Sequence, residues 1–144
     1  MVNKGLMSSD TPEWATPQKL FDELNAEFNF NLDPCATEEN AKCSNFITKE
    51  QDGLNKVWDG HTVFMNPPYG REISKWMKHA HSTAVRGNIV VCLVPSRTDT
   101  NWWWDYCMPY EIRFIKGRLK FNDGKNPAPF PSAIIIMRPK NGEN

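Results

Sequence analysis

The chain has 144 residues and 16.6 kDa, the size of one compact domain, and its 40% hydrophobic and 24% charged residues exclude a disordered or low-complexity chain. The longest apolar stretch, residues 89–94, is too short to cross a bilayer, and residues 1–10 are polar with no apolar signal region. Net charge is zero, but residues 1–70 carry 5 Lys/Arg against 11 Asp/Glu and residues 71–144 carry 12 against 6, a split of −6 and +6. Such a split fits one face that meets phosphates, or charges unevenly spread over a solvated surface. We therefore expect a single cytoplasmic domain over 1–144, with flexible ends at 1–11 and 139–144. Cys35, Cys43, Cys92 and Cys107 read as reduced thiols rather than a disulfide framework.

Thr16-Pro17 reads as an N-cap followed by proline at the first helical position, and Leu20, Phe21, Leu24 and Phe28 then line one helix face. Alternation over 28–32 predicts a strand ending at Asp33-Pro34, and a short helix is expected over 38–42. A strand over 61–65 runs into Asn66-Pro67-Pro68-Tyr69-Gly70, where two prolines stop regular structure. Ile73, Trp76, Met77, Ala80 and Ala84 fall at helical spacing, with Gly87 as the stop. The nearly continuous apolar run over 88–94 predicts a strand buried on both faces. A helix follows from about Thr100 through Trp102, Trp103 and Trp104, and strands are expected over 111–115, 119–121 and 132–137. Alternating helices and strands closed by a hairpin predict an α/β fold: a mainly parallel sheet with an antiparallel C-terminal edge.

Asn66-Pro67-Pro68-Tyr69 is the segment that speaks most directly of chemistry, because ligands of open α/β sheets bind just beyond the carboxyl ends of strands. The exocyclic amine of adenine is a poor nucleophile, its lone pair being delocalised into the ring. The side-chain oxygen of Asn66 and the carbonyl of Pro67 are two acceptors that can hold both amino protons and stabilise the charge that develops on nitrogen. Pro68 stiffens the turn, and Tyr69 can stack on the base, which must first be flipped out of a duplex. Taken alone, the four residues also suit a stiff turn with a packed tyrosine. A cysteine nucleophile at Cys35 is disfavoured, since that chemistry has no use for the paired acceptors. Zinc is disfavoured too, because His79 and His81 leave a helix on different sides.

The ordered set Trp14-Ala15-Thr16-Pro17, Leu32-Asp33-Pro34-Cys35-Ala36, Asn40-Ala41-Lys42-Cys43, Asp52-Gly53-Leu54, Asn66-Pro67-Pro68-Tyr69-Gly70, Leu93-Val94-Pro95-Ser96-Arg97-Thr98-Asp99-Thr100 and Phe114-Ile115-Lys116-Gly117-Arg118-Leu119-Lys120-Phe121 resembles the small phage-type DNA N6-adenine methyltransferase (Dam-like) family. The resemblance covers about residues 12–138. It implies a compact Rossmann-like methyltransferase fold, S-adenosyl-L-methionine as methyl donor, adenine in DNA as acceptor, direct in-line transfer without a covalent enzyme intermediate, and no metal. By the same resemblance, Asp33, Pro34, Cys35 and Ala36 form the loop that cradles the methionine part of the cofactor, bordered by Asn66, with Asp33 facing its ammonium group. Asp52 stands near the adenine amine, and Trp14, Thr16 and Pro17 line the pocket. Residues 33–40 hold no glycine, a departure from the wider superfamily. Read as residues alone, Asp33 and Asp52 also suit solvated carboxylates or caps, with Asp33 favoured over Asp52 as the functional one, and Trp14 is equally a hydrophobic staple.

For DNA, the candidate contacts are Arg71, Lys75, Lys78, Arg97, Lys116, Arg118 and Lys120, with Trp102 standing for a tryptophan bordering the substrate cleft and Phe130 as a second face for the flipped base. Alternatives that the sequence leaves open are methylation of RNA adenine or of a protein glutamine amide, and a nucleic-acid-binding module with a degenerate cofactor pocket.

Overall fold

The computed structural model describes residues 14–139, so the expected flexible ends lie outside the described residues, Pro139 apart. Helix α1, Gln18–Phe28, buries Phe21 and Leu24. It starts one residue later than the Thr16-Pro17 signal suggests. Pro17 is itself the N-cap residue and offers no side-chain acceptor; the Gln18 N–H is satisfied instead by Asp123 Oδ1, 3.1 Å away across the chain. Asn29 closes the helix in the left-handed region (φ 60°), and Asn25 Oδ1 accepts from the Phe30 N–H at 2.8 Å. Helix and cap therefore consume residues that were expected to form a strand over 28–32. The strand β1 runs later, over Asp33–Ala36, and pairs in parallel with β2, Phe46–Thr48.

The expected helix over 38–42 is also replaced, here by turns. Thr37 N–H donates to Asn40 Oδ1 at 2.7 Å and Asn40 N–H returns a bond to Thr37 Oγ1 at 3.1 Å, so side chains satisfy backbone groups that a helix would otherwise recruit. After a single 3₁₀ turn, Gly53–Asn55, the chain enters β3, Thr62–Met65, then α2, Ile73–Val85, and β4, Ile89–Pro95. Helix α3, Asn101–Tyr106, is capped by Thr100, whose hydroxyl accepts from the Trp103 N–H at 3.3 Å. Strands β5, Glu111–Phe114, and β6, Ser132–Met137, complete the described elements. The expected strand over 119–121 does not form. Its place is taken by a 3₁₀ turn, Phe121–Asp123, in which Asn122 and Asp123 adopt positive φ and Asn122 exchanges two hydrogen bonds with Ala15.

Four strands form one sheet in the order β3-β4-β6-β5. β3 pairs with β4 in parallel, and β6 runs antiparallel to both β4 and β5. A parallel bridge from Leu32 to Val63 ties the β1–β2 pair to this sheet, so β1 to β5 share a direction and β6 alone opposes it. The expected C-terminal hairpin of 119–121 with 132–137 does not form, since the first of those segments is not a strand; β6 pairs instead with β4 and β5, so it lies inside the sheet and β5 forms the edge.

Burial on both faces explains the unbroken apolar run of β4. Val90, Cys92 and Val94 join Trp76, Met77, Ala80 and Trp103 on the side of α2 and α3. Val91 and Leu93 join Phe21, Leu24, Phe30 and Phe64 on the side of α1. Each such side chain removed from water contributes roughly 1.5–3 kcal/mol, which anchors the central strands and hence the loops at their carboxyl ends. Half-exposed ion pairs fasten the edges: Arg113 clasps Glu27 through both terminal guanidinium nitrogens (2.7 and 2.8 Å), and Arg86 pairs with Asp59 at 2.9 Å. Part of the opposite charge of the two halves is therefore used to join them. Among the described residues, no helix is long and apolar enough to cross a membrane.

Candidate active site

Because β1 and β3 run side by side in the same direction, the segments that follow them emerge together. They open a cleft of about 590 Å³, within the usual range for small-molecule sites. Its walls bring together residues far apart in sequence: Trp14 and Thr16, Asp33 to Ala36, Asp52, and Asn66 to Tyr69. Pro17 is not among the lining residues.

The Asn66 side chain is held at three points. Its Nδ2 donates to the Trp14 carbonyl at 2.6 Å and to Thr16 Oγ1 at 3.0 Å, and its Oδ1 accepts from the Tyr69 hydroxyl at 2.8 Å. The Trp14 carbonyl can only accept, which fixes the amide orientation and leaves Oδ1 as the acceptor with a second lone pair. Thr16, expected as a helix cap, is buried and turned toward Asn66. The Tyr69 hydroxyl also lies 3.1 Å from the Leu93 carbonyl, and its burial pushes the phenol well above its ordinary pKa, so it remains a donor. The sequence reading treated Tyr69 as a stacking ring only; the hydroxyl that locks Asn66 was missed. Its ring meets Phe121 and Phe130 edge-on, at 6.3 and 5.6 Å between centroids.

Asp33 is 5% exposed, yet it lines the cleft. Its Oδ1 accepts from the Cys35 N–H at 3.4 Å and its Oδ2 from the Lys42 N–H at 3.0 Å. Burial raises its pKa to about 6, against the pull of those backbone donors. The Cys35 thiol donates to the Asn66 carbonyl at 3.2 Å, and burial pushes its pKa well up, so it is a protonated strut and a poor nucleophile.

Asp52, at φ 58°, accepts from the Leu54 N–H at 3.2 Å and from Asn55 Nδ2 at 2.6 Å, so it caps the 3₁₀ turn while lining the cleft. The glycine-free 33–40 loop is instead met closely by the 3₁₀ turn at Gly53. Gly53 is buried, and a Cβ there would stand 2.3 Å from the Pro34 carbonyl oxygen. Lys42, which the sequence offers only within the Asn40-Ala41-Lys42-Cys43 motif, and Lys49, Glu72 and Trp76 also line the cleft, a role that sequence reasoning did not assign them. Their signal is spatial, since they lie in turns and on a helix face whose register against β1 has no local signature.

The candidate DNA contacts lie outside this cleft. Arg71, Lys78, Arg97, Lys116, Arg118 and Lys120 are exposed, and Lys75 pairs loosely with Glu72 at 3.7 Å. Arg97 lies over the Phe130 ring, 5.9 Å from its centroid. Phe130 itself is 9% exposed and wedged against Trp14, Tyr69 and Phe121, a backing for the cleft wall rather than an open face. Trp102 is buried, so of the three consecutive tryptophans the exposed ring is Trp104. His79 and His81 bond to different partners, the Lys56 carbonyl and Tyr110, as their helical spacing predicts. No group of three or more His, Cys, Asp or Glu able to hold a metal occurs among the described residues.

The family profile described as DNA N-6-adenine-methyltransferase (Dam) matches residues 4–143. A protein of Haemophilus phage HP1 named DNA N-6-adenine-methyltransferase is 36% identical, over 97% of this chain and 86% of its own. One of the same name from Escherichia phage T1 is 29% identical, over 90% of this chain and 64% of its own. The chain belongs to the DNA N-6-adenine-methyltransferase (Dam) family.

Proposed function

We propose that this protein methylates the N6 amino group of adenine in DNA, using S-adenosylmethionine bound in the 590 Å³ cleft of a Rossmann-like methyltransferase fold. The observation that carries the reading is the fixed Oδ1 of Asn66 in the same cleft as Asp33, a buried carboxylate that makes no ion pair among the described residues. Bound there, S-adenosylmethionine supplies an electrophilic methyl group on a sulfonium centre. The residues present fit it: Asp33 suits its ammonium group, and the Trp14 ring suits a neighbouring cation.

Asn66 Oδ1 and the Pro67 carbonyl accept the two protons of a flipped adenine amine. They localise its lone pair and stabilise the positive charge that grows on nitrogen during in-line attack. Because the amide is locked before substrate arrives, little reorganisation accompanies that charge. Tyr69 keeps the lock closed and offers its ring to the base. The exposed cations Arg71, Lys75, Lys78, Arg97, Lys116, Arg118 and Lys120 supply phosphate contacts.

Incubation with methyl-labelled S-adenosylmethionine and, separately, duplex DNA, RNA and protein tests the reading. Label recovered as N6-methyladenine from DNA is the expected result. Label confined to RNA or to glutamine would replace the substrate, and a folded protein that neither binds the donor nor transfers label would overturn the reading.

A further inference from the structure

Asp33 and Lys42 line one cleft without a direct ion pair between them, although the Lys42 charge still favours the ionised form of Asp33. Both oxygens of Asp33 accept backbone N–H groups, one of them from Lys42 itself at 3.0 Å, and its carboxylate forms no ion pair among the described residues. The Lys42 ammonium goes elsewhere: Nζ donates to Gln18 Oε1 at 2.8 Å, and Gln18 is held in turn by Asp22. One of the three ammonium donors is thereby used, and two remain. The backbone bond to Asp33 fixes where the Lys42 stem begins, and Lys42 lines the cleft while its ammonium rests on Gln18. An anion and a cation held apart over one cavity complement a ligand that carries both charges on one carbon, an α-amino acid group.

We propose that Lys42 binds the carboxylate of the amino-acid end of the methyl donor, while Asp33 takes its ammonium group, so that the pair selects ligands that carry an intact amino acid. The inference rests on reading the cleft as the methyl-donor site. It assigns the carboxylate end to a residue of the turn after β1. A lysine suits this place because its flexible stem can leave Gln18 for a carboxylate without moving the backbone that holds Asp33.

The test uses the full chain and two ligands: S-adenosylhomocysteine, which keeps the amino acid, and 5′-methylthioadenosine, which lacks it. Lys42→Met preserves the backbone N–H to Asp33 and most of the stem. By calorimetry it should weaken S-adenosylhomocysteine about tenfold or more, the size expected for a lost charge-assisted hydrogen bond, and leave 5′-methylthioadenosine unchanged. Lys42→Arg should restore most of the loss. Equal weakening of both ligands would make Lys42 a structural residue, and unchanged affinity for both would remove it from the site; either result overturns the proposal with the donor site intact. Wild-type protein that binds neither ligand would overturn the cleft reading itself, and the proposal with it.

Discussion

Replacing Asn66 with alanine separates a chemical role for this side chain from a merely structural one. The amide makes two donated bonds and one accepted bond, to Trp14, Thr16 and Tyr69. The Tyr69 hydroxyl keeps the Leu93 carbonyl as a partner, so the loss falls mainly on the two donated bonds. At about 1 kcal/mol each, Asn66→Ala should lower stability by about 2 kcal/mol, read by urea unfolding. It also loosens the Trp14–Thr16 strap from the cleft, so donor affinity should fall modestly rather than stay untouched. The larger effect belongs to the chemical step: with one of two acceptors gone, the single-turnover rate at saturating donor should drop about a hundredfold. Asn66→Asp sharpens the contrast. It loses both donated bonds but keeps an oxygen toward the amine, so it should cost comparable stability and less turnover than alanine. A folded Asn66→Ala protein that transfers methyl groups at the wild-type rate would refute the two-acceptor mechanism.

The pKa of Asp33, near 6 rather than the ordinary 3.8, has two pH consequences. A cationic ligand end selects the ionised form, so affinity for S-adenosylhomocysteine should rise with pH through about 6 and level off above it. In the ligand-free protein the raised value favours folding below about pH 4, and that contribution is lost as pH rises through 6, by about 3 kcal/mol. Asp33→Asn should therefore gain stability relative to wild type between pH 4 and pH 7, and an unchanged difference in urea unfolding would contradict the raised value. Gly53→Ala drives a methyl group against the backbone carbonyl of Pro34, which no side-chain rotation can relieve, and should cost about 1–3 kcal/mol in the same assay together with most donor affinity. Combined replacement of Lys116, Arg118 and Lys120 by alanine should weaken DNA binding and flatten its dependence on salt, measured by fluorescence anisotropy; an unchanged slope would make them a solvated face.

Elements that announce themselves by period were legible in the sequence. The spacing of Ile73, Trp76, Met77, Ala80 and Ala84 marked α2, and the apolar run marked β4 to within a residue. The cleft residues were legible as motifs, and Trp14, Thr16, Asp33, Asp52 and Asn66 do meet around one cavity. What failed was decided by contacts without local signature. Asn29 alternates correctly for a strand, yet its left-handed backbone and the Asn25 cap end a helix there. Leu119 to Phe121 looks like a strand, but the bond exchange between Asn122 and Ala15 turns the chain. The place of β6 inside the sheet was hidden because pairing order is a long-range property. Trp102 could not be told from Trp104 until α3 had an orientation.

The central claim, that adenine in DNA is methylated at the Asn66 cleft, meets its most direct test in a host strain free of adenine methylation. Sequencing genomic DNA with detection of modified bases, after expression of wild type or Asn66→Ala at matched folded levels, reads product and site together. The account predicts N6-methyladenine at defined sequence positions with wild type and near-background levels with the variant. No modified adenine with wild type, or equal modification with both, would contradict it.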